Sequence, residues 1–311
     1  MPSLNLGIIG KNGHAARLIN ILEKRDDTSV EKIFLHRKDT DSRVTQNIED
    51  LYPCDGIIVS SPTQFHGSQL NLLRNYKGHV FCEKPISLES TILNDLNDGL
   101  FLNKFFVNYC FLYSTIGKEI NELIAGRSLG ELLNATIHFG HGGAYKFNEN
   151  DWRFSAVGNI TPTVLSHFIA FFYSIIPDIK FSSLKEMSIT GKGVDTSSVQ
   201  FENSRATGSI VCSWASPLVS NIQFWFSKAY LQWNGEQFKI YKLPDNHCSI
   251  ERTSDSELVS SKNITVAENY ISSLENALNE FITGIKVNQQ NEDQRSHALN
   301  TEKLLINNYQ S

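Results

Sequence analysis

The sequence predicts an α/β protein with a doubly wound parallel sheet at its N-terminus and a second α+β domain with an open, mostly antiparallel sheet. The first third of the chain alternates short apolar runs with segments of helical period, which is typical of parallel strands covered by helices. Later runs alternate apolar and polar residues and are separated by turn residues, which is typical of antiparallel strands. The chain has 311 residues, enough for two domains, and we place them at 1–113 and 114–311.

Apolar runs in the first domain have the length of buried strands. They cover residues 4–9, 30–35, 56–60, 79–82 and 104–109. Between them, apolar side chains recur at helical intervals, as at Leu18, Ile19 and Leu22, and this spacing predicts amphipathic helices. The succession of strand and helix favours a doubly wound domain.

From about residue 114 the pattern changes. A helix is predicted around residues 116–124, followed by a strand at 133–139 in which every second residue is apolar. Further strands are predicted at 198–201, 206–214, 222–226, 230–233 and 238–241. Two helices follow, one around residues 271–281 with a single apolar stripe and one at 299–309.

The composition excludes several classes of function. With 28 Lys and Arg against 33 Asp and Glu, the net charge is −5 and no basic block stands out, so nucleic acid is not predicted as a partner. The richest apolar stretch, residues 168–176, falls short of the roughly 18 residues that a membrane helix needs. The N-terminus lacks the basic start and long apolar region of a signal peptide, which favours a cytoplasmic protein.

The cysteines share no short spacing and have no histidine cluster beside them. They are Cys54, Cys82, Cys110, Cys212 and Cys248. Their odd number and their spacing predict neither a disulfide framework nor a metal site. Small, reduced, buried side chains are the interpretation that fits.

A glycine-rich segment closes the first predicted strand and opens the first helix. Against the pattern G-x-G-x-x-G/A, Gly10 fits the first place, Asn12 replaces the second glycine and Ala15 fills the third. Backbone N–H groups and the helix dipole suit a pyrophosphate at such a helix start. The predicted dinucleotide contacts here are Gly10, Asn12, Gly13, His14 and Ala15; a plain glycine turn is the alternative.

The end of the second predicted strand carries His36, Arg37 and Lys38. A domain that prefers NAD places an acidic side chain there, on the ribose 2′-hydroxyl. A cation suits the 2′-phosphate of NADP instead, because a guanidinium binds phosphate through paired N–H donors. We therefore expect NADP(H) to be preferred and NAD(H) to be possible, with a solvated basic loop as the alternative.

Two longer motifs follow the third and fourth predicted strands. They are DGIIVSSPTQFH at 55–66 and GHVFCEKPIS at 78–87. Shorter segments come after them in order: FVNY at 106–109, SLGEL at 128–132, DWRF at 151–154 and SWA at 213–215. Together they resemble the glucose-fructose oxidoreductase and inositol dehydrogenase family, Gfo/Idh/MocA, over nearly the full chain.

The resemblance implies a fold and an activity. The fold is an N-terminal Rossmann domain and a C-terminal substrate domain whose open antiparallel sheet often serves as an oligomer interface, hence a homodimer or homotetramer. The activity is NAD(P)-dependent oxidation or reduction of sugars and related polyols. The cofactor contacts that it implies in the two longer motifs are Ser61, Pro62, Thr63, His66, Glu83 and Lys84.

Lys84 is the first candidate catalytic residue. It follows a buried strand at the carboxyl edge of the predicted sheet, where doubly wound folds bind ligands. An ammonium there can hydrogen-bond the developing alkoxide of a substrate or relay its proton, and partial burial lowers its pKa toward useful values. Glu83 is placed to orient Lys84, and Pro85 to fix the turn.

His167 is the second candidate catalytic residue. In the resemblance it matches the final histidine of the family's D-x-G-x-H segment, a general acid or base on the reacting hydroxyl. The sequence departs from that pattern, because Thr163 replaces the aspartate and Leu165 the glycine. A threonine hydroxyl can still bind substrate but cannot raise the basicity of an imidazole by charge. A structural histidine in a core helix is the alternative.

Tyr109, Trp152 and Arg153 are further candidates for substrate contact. An indole stacks on a sugar face and a guanidinium holds an anionic group, although all three residues also commonly pack or anchor loops. We expect hydride transfer between a nicotinamide and a carbonyl or secondary alcohol of a sugar or sugar nucleotide. The alternatives are a catalytically impaired family member with a structural or regulatory role, and a reductase of an imine or another conjugated substrate.

Overall fold

The computed structural model describes residues 3–87, 89–156, 158–176, 178–243 and 256–309. The chain forms two compact units. Unit 1 consists of Met1–Cys110 together with Leu274–Ser311, and unit 2 of Phe111–Ser273. The chain therefore leaves unit 1 once and returns to it near its C-terminus.

Unit 1 contains a six-stranded parallel sheet covered by helices. Its first elements are β1 (Leu4–Ile9), α1 (His14–Glu23), β2 (Thr28–Phe34), β3 (Val44–Thr45), β4 (Gly56–Val59), α2 (His66–Leu72), β5 (His79–Cys82), α3 (Ser90–Asn97) and β6 (Lys104–Val107). The strand order is β3-β2-β1-β4-β5-β6, which is that of a Rossmann fold. Every residue of β4 and β5 is buried, as parallel strands with two covered faces require. The predicted doubly wound sheet is confirmed.

Unit 2 contains an eight-stranded sheet with helices. Its elements are α4 (Thr115–Ala125), β7 (Leu132–Gly140), α5 (Ser166–Ile175), β8 (Lys180–Met187), β9 (Thr196–Glu202), β10 (Thr207–Ser213), β11 (Val219–Phe226), β12 (Ala229–Trp233), β13 (Gln237–Lys242) and β14 (Glu257–Asn263). The strand order is β14-β13-β12-β11-β7-β10-β9-β8, and only β7 and β10 pair in parallel. The predicted mostly antiparallel sheet is confirmed, and β8 and β14 extend it beyond the predicted strands.

Aromatic side chains hold α5 against the sheet of unit 2. The ring centroid of Phe172 lies 4.4 Å from that of Phe201 on β9, and Phe168 lies 4.9 Å from Phe111. Buried aromatic pairs at these separations stabilise a core beyond the area they bury. This packing fixes the orientation of α5, which carries His167 in its first turn.

Two helices close the chain, α6 (Val266–Val287) and α7 (Glu292–Tyr309). The Phe281 ring of α6 lies 5.3 Å from Phe81 of β5, and α7 packs against β6 and α3. Residues 274–311 therefore complete unit 1, whereas the sequence prediction assigned all of 114–311 to the second domain. The difference has a physical reason: the chain returns along continuous amphipathic helices, with no linker or change of composition to mark the return.

No helix in the described part of the chain is both long enough and apolar enough to cross a membrane. The cysteines described there, Cys54, Cys82, Cys110 and Cys212, are all buried. Cys248 lies outside the described residues.

Candidate active site

The loop after β1 has the backbone geometry of a phosphate cradle. Gly10 has a φ of 110°, and a Cβ added there would lie 2.7 Å from the carbonyl oxygen of Ser60, so only glycine lets this loop approach the loop after β4. Gly13 has a φ of 60°, and a Cβ there would meet nothing within 4 Å. Among the described residues no side chain caps the start of α1, so its first N–H groups are not bonded to a capping side chain. This geometry fits a dinucleotide pyrophosphate.

The remaining loop positions divide between surface and core. Asn12 is exposed and His14 is half-buried, whereas Ala15 is fully buried. The small Ala15 side chain therefore serves the close packing of α1 on the sheet, which is the role of the third small residue in the pattern.

Glu83 joins three strand ends of unit 1. Its Oε1 accepts hydrogen bonds from His14 Nε2 (2.8 Å) and Asn108 Nδ2 (2.7 Å), and its backbone N–H donates to the Val59 carbonyl at the end of β4. Burial works against the carboxylate, but His14 and Asn108 prevail and lower the pKa of Glu83. The Glu83 carboxylate in turn raises the pKa of His14, which favours an ion pair between the two.

Lys84 follows Glu83 at the carboxyl end of β5 and is half-buried. Burial lowers the pKa of its ammonium, and Glu83 opposes that effect. The Lys84–Pro85 peptide bond is cis. A lysine with a lowered pKa at this edge of the sheet can give up and regain a proton more readily than one in water.

Glu302 on α7 is a site residue that sequence reasoning missed. It is completely buried, and its Oε1 accepts hydrogen bonds from the Ile86 backbone N–H (2.8 Å) and the Tyr109 hydroxyl (2.6 Å). Burial raises the pKa of Glu302 to about 7. The available signal was its place on the buried stripe of α7, between Ala298 and Leu305, where an acidic residue needs a reason to be.

Two residues with predicted contacts are buried. Tyr109 is completely buried and its hydroxyl donates to Glu302, and its predicted substrate contact stays a prediction. His66 is also buried, with Nδ1 at 2.8 Å from the Pro85 carbonyl and Nε2 at 2.8 Å from the Ser61 carbonyl. Both ring nitrogens thus lie next to backbone carbonyls, and His66 ties the loop after β4 to the turn after Lys84. Its predicted cofactor contact stays a prediction.

The loop after β4 presents the rest of its motif outward. Pro62 is exposed, and Ser61 and Thr63 are half-buried beside it. The Ser61 hydroxyl donates to Gln69 at 2.5 Å, which fixes the loop against α2. The predicted cofactor contacts of these three residues remain a prediction.

The cationic segment after β2 is exposed. Arg37 and Lys38 form no hydrogen bond or ion pair within the described ranges, whereas the nearby Asp39 accepts from Lys11 at 2.6 Å. The His36 ring packs 5.0 Å from Phe34. Because Asp39 is paired with Lys11, two unengaged cations remain at the position where an acidic residue would bind the ribose of NAD.

In unit 2, Trp152 and Arg153 lie on a short 3₁₀ helix. Trp152 is 54% exposed, and the Arg153 guanidinium lies 5.1 Å from its ring centroid. The Arg153 guanidinium is held by Asp151 at 3.0 Å and lies 4.5 Å from the Phe147 ring centroid. This environment favours a loop anchor for Arg153 and leaves Trp152 as the better substrate candidate.

His167 follows an unusual backbone segment. A π-helix at Thr161–Leu165 leads into α5, and such wide turns occur frequently at functional sites. Thr163 and His167 are both half-buried, one helical turn apart, and the Thr163 hydroxyl donates to the Asn159 carbonyl at 2.5 Å. The action of Lys84 and His167 on one substrate oxygen stays a prediction.

Comparisons with known proteins agree with this geometry. Residues 4–98 match the family model GFO_IDH_MocA, the oxidoreductase family with an NAD-binding Rossmann fold. Over 161 residues the chain is 26% identical to glucose-6-phosphate 3-dehydrogenase of Bacillus subtilis (strain 168). That match covers 48% of this chain and 45% of the enzyme, so it spans less than half of the relative's length.

Solved structures with the same fold cover almost the whole chain. A 3-ketoreductase from Actinomadura kijaniata, in complex with NADP and TDP-benzene, has a TM-score of 0.78 and 15% identity over 97% of this chain and 96% of its own. A myo-inositol dehydrogenase from Corynebacterium glutamicum ATCC 13032 has a TM-score of 0.77 and 15% identity over 98% and 95%. At these identities the likeness concerns the fold.

Proposed function

Residues 4–98 of this chain belong to the Gfo/Idh/MocA oxidoreductase family with an NAD-binding Rossmann fold, and from this premise we propose that the protein is an NADP-preferring oxidoreductase acting on a sugar or sugar nucleotide. Hydride passes between the nicotinamide and a carbonyl or secondary alcohol carbon. The observation that carries the proposal is Lys84 at the carboxyl edge of the parallel sheet, next to Glu83, whose carboxylate bonds to the first residue of α1. Ligands of doubly wound sheets bind at this edge.

The residues of unit 1 supply binding and proton transfer. The N–H groups at the start of α1 would hold the pyrophosphate, and a bound nicotinamide would supply or accept the hydride. The Lys84 ammonium donates a hydrogen bond to the substrate oxygen, where negative charge develops on reduction, and then gives it a proton. Glu83 holds the loop that carries Lys84, because its carboxylate is bonded to both His14 and Asn108.

His167, in the first turn of α5, is proposed as a second acid or base for the reacting hydroxyl. Thr163 stands one turn earlier and is neutral, so it adds no charge to strengthen His167 as a base. Lys84 is therefore the principal acid and base in the proposal.

The preference for NADP rests on Arg37 and Lys38. Both are exposed beyond the end of β2, and Asp39 is engaged by Lys11. A guanidinium without a protein partner binds a phosphate through paired N–H donors.

The sugar substrate class draws on the relatives' names. The B. subtilis relative is a glucose-6-phosphate 3-dehydrogenase, and two of the fold relatives are a 3-ketoreductase and a myo-inositol dehydrogenase. Trp152 offers an exposed indole, a side chain that packs well on a sugar face. A polyhydroxylated ring with one ketone or secondary alcohol is the substrate that these features fit.

Turnover with a panel of keto-sugars tests the proposal. Purified protein is mixed with NADPH and each keto-sugar, and loss of the reduced nicotinamide absorbance is followed. We expect turnover that Lys84→Ala abolishes and that Lys118→Ala, a change on α4 in unit 2, leaves intact. Binding of NADPH without turnover of any keto-sugar or imine favours a regulatory module instead, and turnover of an imine alone favours the imine reductase.

Location and assembly complete the proposal. Cys54, Cys82 and Cys212 are free thiols among the described residues and fit a reducing compartment, which supports a cytoplasmic protein. A homodimer or homotetramer is proposed from the resemblance, and light scattering after size-exclusion chromatography measures it directly.

A further inference from the structure

Glu302 is a buried carboxyl group for which the proposed mechanism has no use. We propose that Glu302 is a positioning residue for Lys84: it fixes the turn that follows Lys84, and its negative charge holds the Lys84 side chain in the ammonium form. The inference rests on the proposed function for its catalytic meaning. Its structural basis lies entirely within unit 1.

The hydrogen bonds of Glu302 show how the turn is fixed. The Ile86 backbone N–H, two residues after Lys84, donates to Glu302 Oε1 at 2.8 Å, and the Tyr109 hydroxyl donates to the same oxygen at 2.6 Å. Glu302 is thus joined both to the turn after β5 and to the segment after β6. A side chain from the last helix of the chain clamps two loops of the candidate site.

The other oxygen of the Glu302 carboxyl group accepts no hydrogen bond from the described residues that would stabilise its negative charge. Glu302 Oε2 is buried and has no hydrogen-bond partner in the part of the chain that the structure describes. Glu83, by contrast, already accepts from His14 and Asn108. A buried carboxylate needs a compensating charge, and the cation that acts on Glu302 is Lys84.

Other ionisable groups also lie close enough to Lys84 or Glu302 to affect their charge. Glu83, Cys110 and Glu302 act on Lys84, and Lys84 acts in turn on His14 and His66, while Tyr109 and Cys82 lie within range of Glu302. Burial raises the pKa of Cys82 and Tyr109, so both are neutral near pH 7. Glu302 and Glu83 are therefore the two carboxylates that can favour the charged form of Lys84.

Glu302→Gln tests the charge separately from the shape. The amide oxygen can still accept from Ile86 and Tyr109, but the negative charge is gone. The rate at which an amine-acylating reagent labels Lys84 is measured against pH in the cofactor-free full-length protein, with mass spectrometry to identify the site. We expect the apparent pKa of Lys84 to fall by about one unit, seen as roughly tenfold faster labelling below that pKa.

Glu292→Gln is the matched control, because Glu292 lies on the same helix and is exposed. It should leave the labelling curve of Lys84 unchanged. Tyr109→Phe gives a second route: it keeps the carboxyl group but removes a donor to the carboxylate, so it should accelerate labelling in the same direction by less. Folded Glu302→Gln protein with the wild-type labelling curve overturns the proposal, as does an unchanged curve in folded Tyr109→Phe if the glutamine variant does not fold.

The same variants separate this inference from the proposed function. If the wild-type protein turns over a keto-sugar, the basic limb of its kcat/KM profile should move to lower pH in Glu302→Gln. If no keto-sugar is turned over but the labelling curve shifts, the proposed function fails while the coupling of Glu302 to Lys84 stands.

Discussion

The carboxyl edge of unit 1 and the first turn of α5 in unit 2 hold their candidate residues in different ways. In unit 1, Lys84 lies within range of the charges of Glu83 and Glu302, both of which are buried and hydrogen-bonded. In unit 2, Thr163 is neutral and its hydroxyl donates to the backbone of the preceding turn. Because charged neighbours shift a pKa far more than a neutral hydroxyl does, we expect the proposed acid-base chemistry to depend chiefly on Lys84.

The largest effect on activity is expected from Lys84→Ala, which tests the difference between the two units directly. Lys84→Ala removes the group that stabilises and protonates the substrate oxygen, so kcat with a keto-sugar should fall by about 10²- to 10⁴-fold, the range for a positioned general acid. His167→Ala should cost about tenfold less, because Thr163 adds no charge to it. Steady-state kinetics measure both losses, and a NADPH titration separates a loss of catalysis from a loss of cofactor binding. A larger loss in His167→Ala than in Lys84→Ala would place the chemistry in unit 2.

The buried charge of Glu302 should appear as a pH-dependent stability. The pKa of this carboxyl group is raised from 4.5 to about 7 in the folded protein, so the folded state binds an extra proton between these values. The contribution of protonated Glu302 to the free energy of unfolding is therefore present in full below pH 4.5. It is lost as the pH rises through 7, by up to about 3 kcal/mol.

Urea unfolding of wild-type protein and Glu302→Gln at several pH values measures this effect. The glutamine variant does not titrate at this site. Its free energy of unfolding relative to the wild type should therefore increase as the pH rises from 5 to 8, by about 3 kcal/mol at most. Glu292→Gln should track the wild type throughout. A constant difference between wild type and Glu302→Gln across this range would mean that Glu302 is not buried in a costly charged form.

Arg37 offers a smaller effect, on cofactor choice. Arg37→Ala should raise the KM for NADPH by about tenfold and leave the KM for NADH within twofold, because only NADP carries the 2′-phosphate that a guanidinium binds. Arg205→Ala, an exposed arginine of unit 2, is the control. Equal changes for the two coenzymes would refute the role assigned to Arg37.

The two units also differ in how far the sequence predicts them. In unit 1, β4 and β5 are short, fully buried runs of mostly apolar residues, so composition alone marks them. In unit 2 the alternation of β11 is equally plain, but β14 is exposed along almost its whole length and gives no apolar signal. A strand at the edge of a sheet that buries little surface leaves little trace in its sequence.

The residues of the candidate site also differ in how well the sequence predicts them. Lys84, Glu83 and the Gly10 loop are recognisable because they follow predicted strands within one stretch of the chain. Glu302 is not, because its bond to Ile86 joins residues 216 positions apart, and no local pattern reports such a contact. The internal roles of Tyr109 and His66 were hidden for the same reason, since burial depends on which elements pack over them.

The smallest expected effect comes from adding a negative charge next to His167 in unit 2. Thr163→Asp places a carboxylate one turn before His167, where it favours the imidazolium and so raises the pKa of His167. A pair at this spacing is worth about 0.3–0.5 kcal/mol at an exposed helix surface, so oxidation of the alcohol should speed up by about twofold and the acid limb of kcat/KM should move to higher pH. Thr163→Asn has the same shape without the charge and should show neither change. If the two variants have the same pH profile, a charge at position 163 does not affect the pKa of His167, and the neutral threonine of this chain does not lower the basicity of His167.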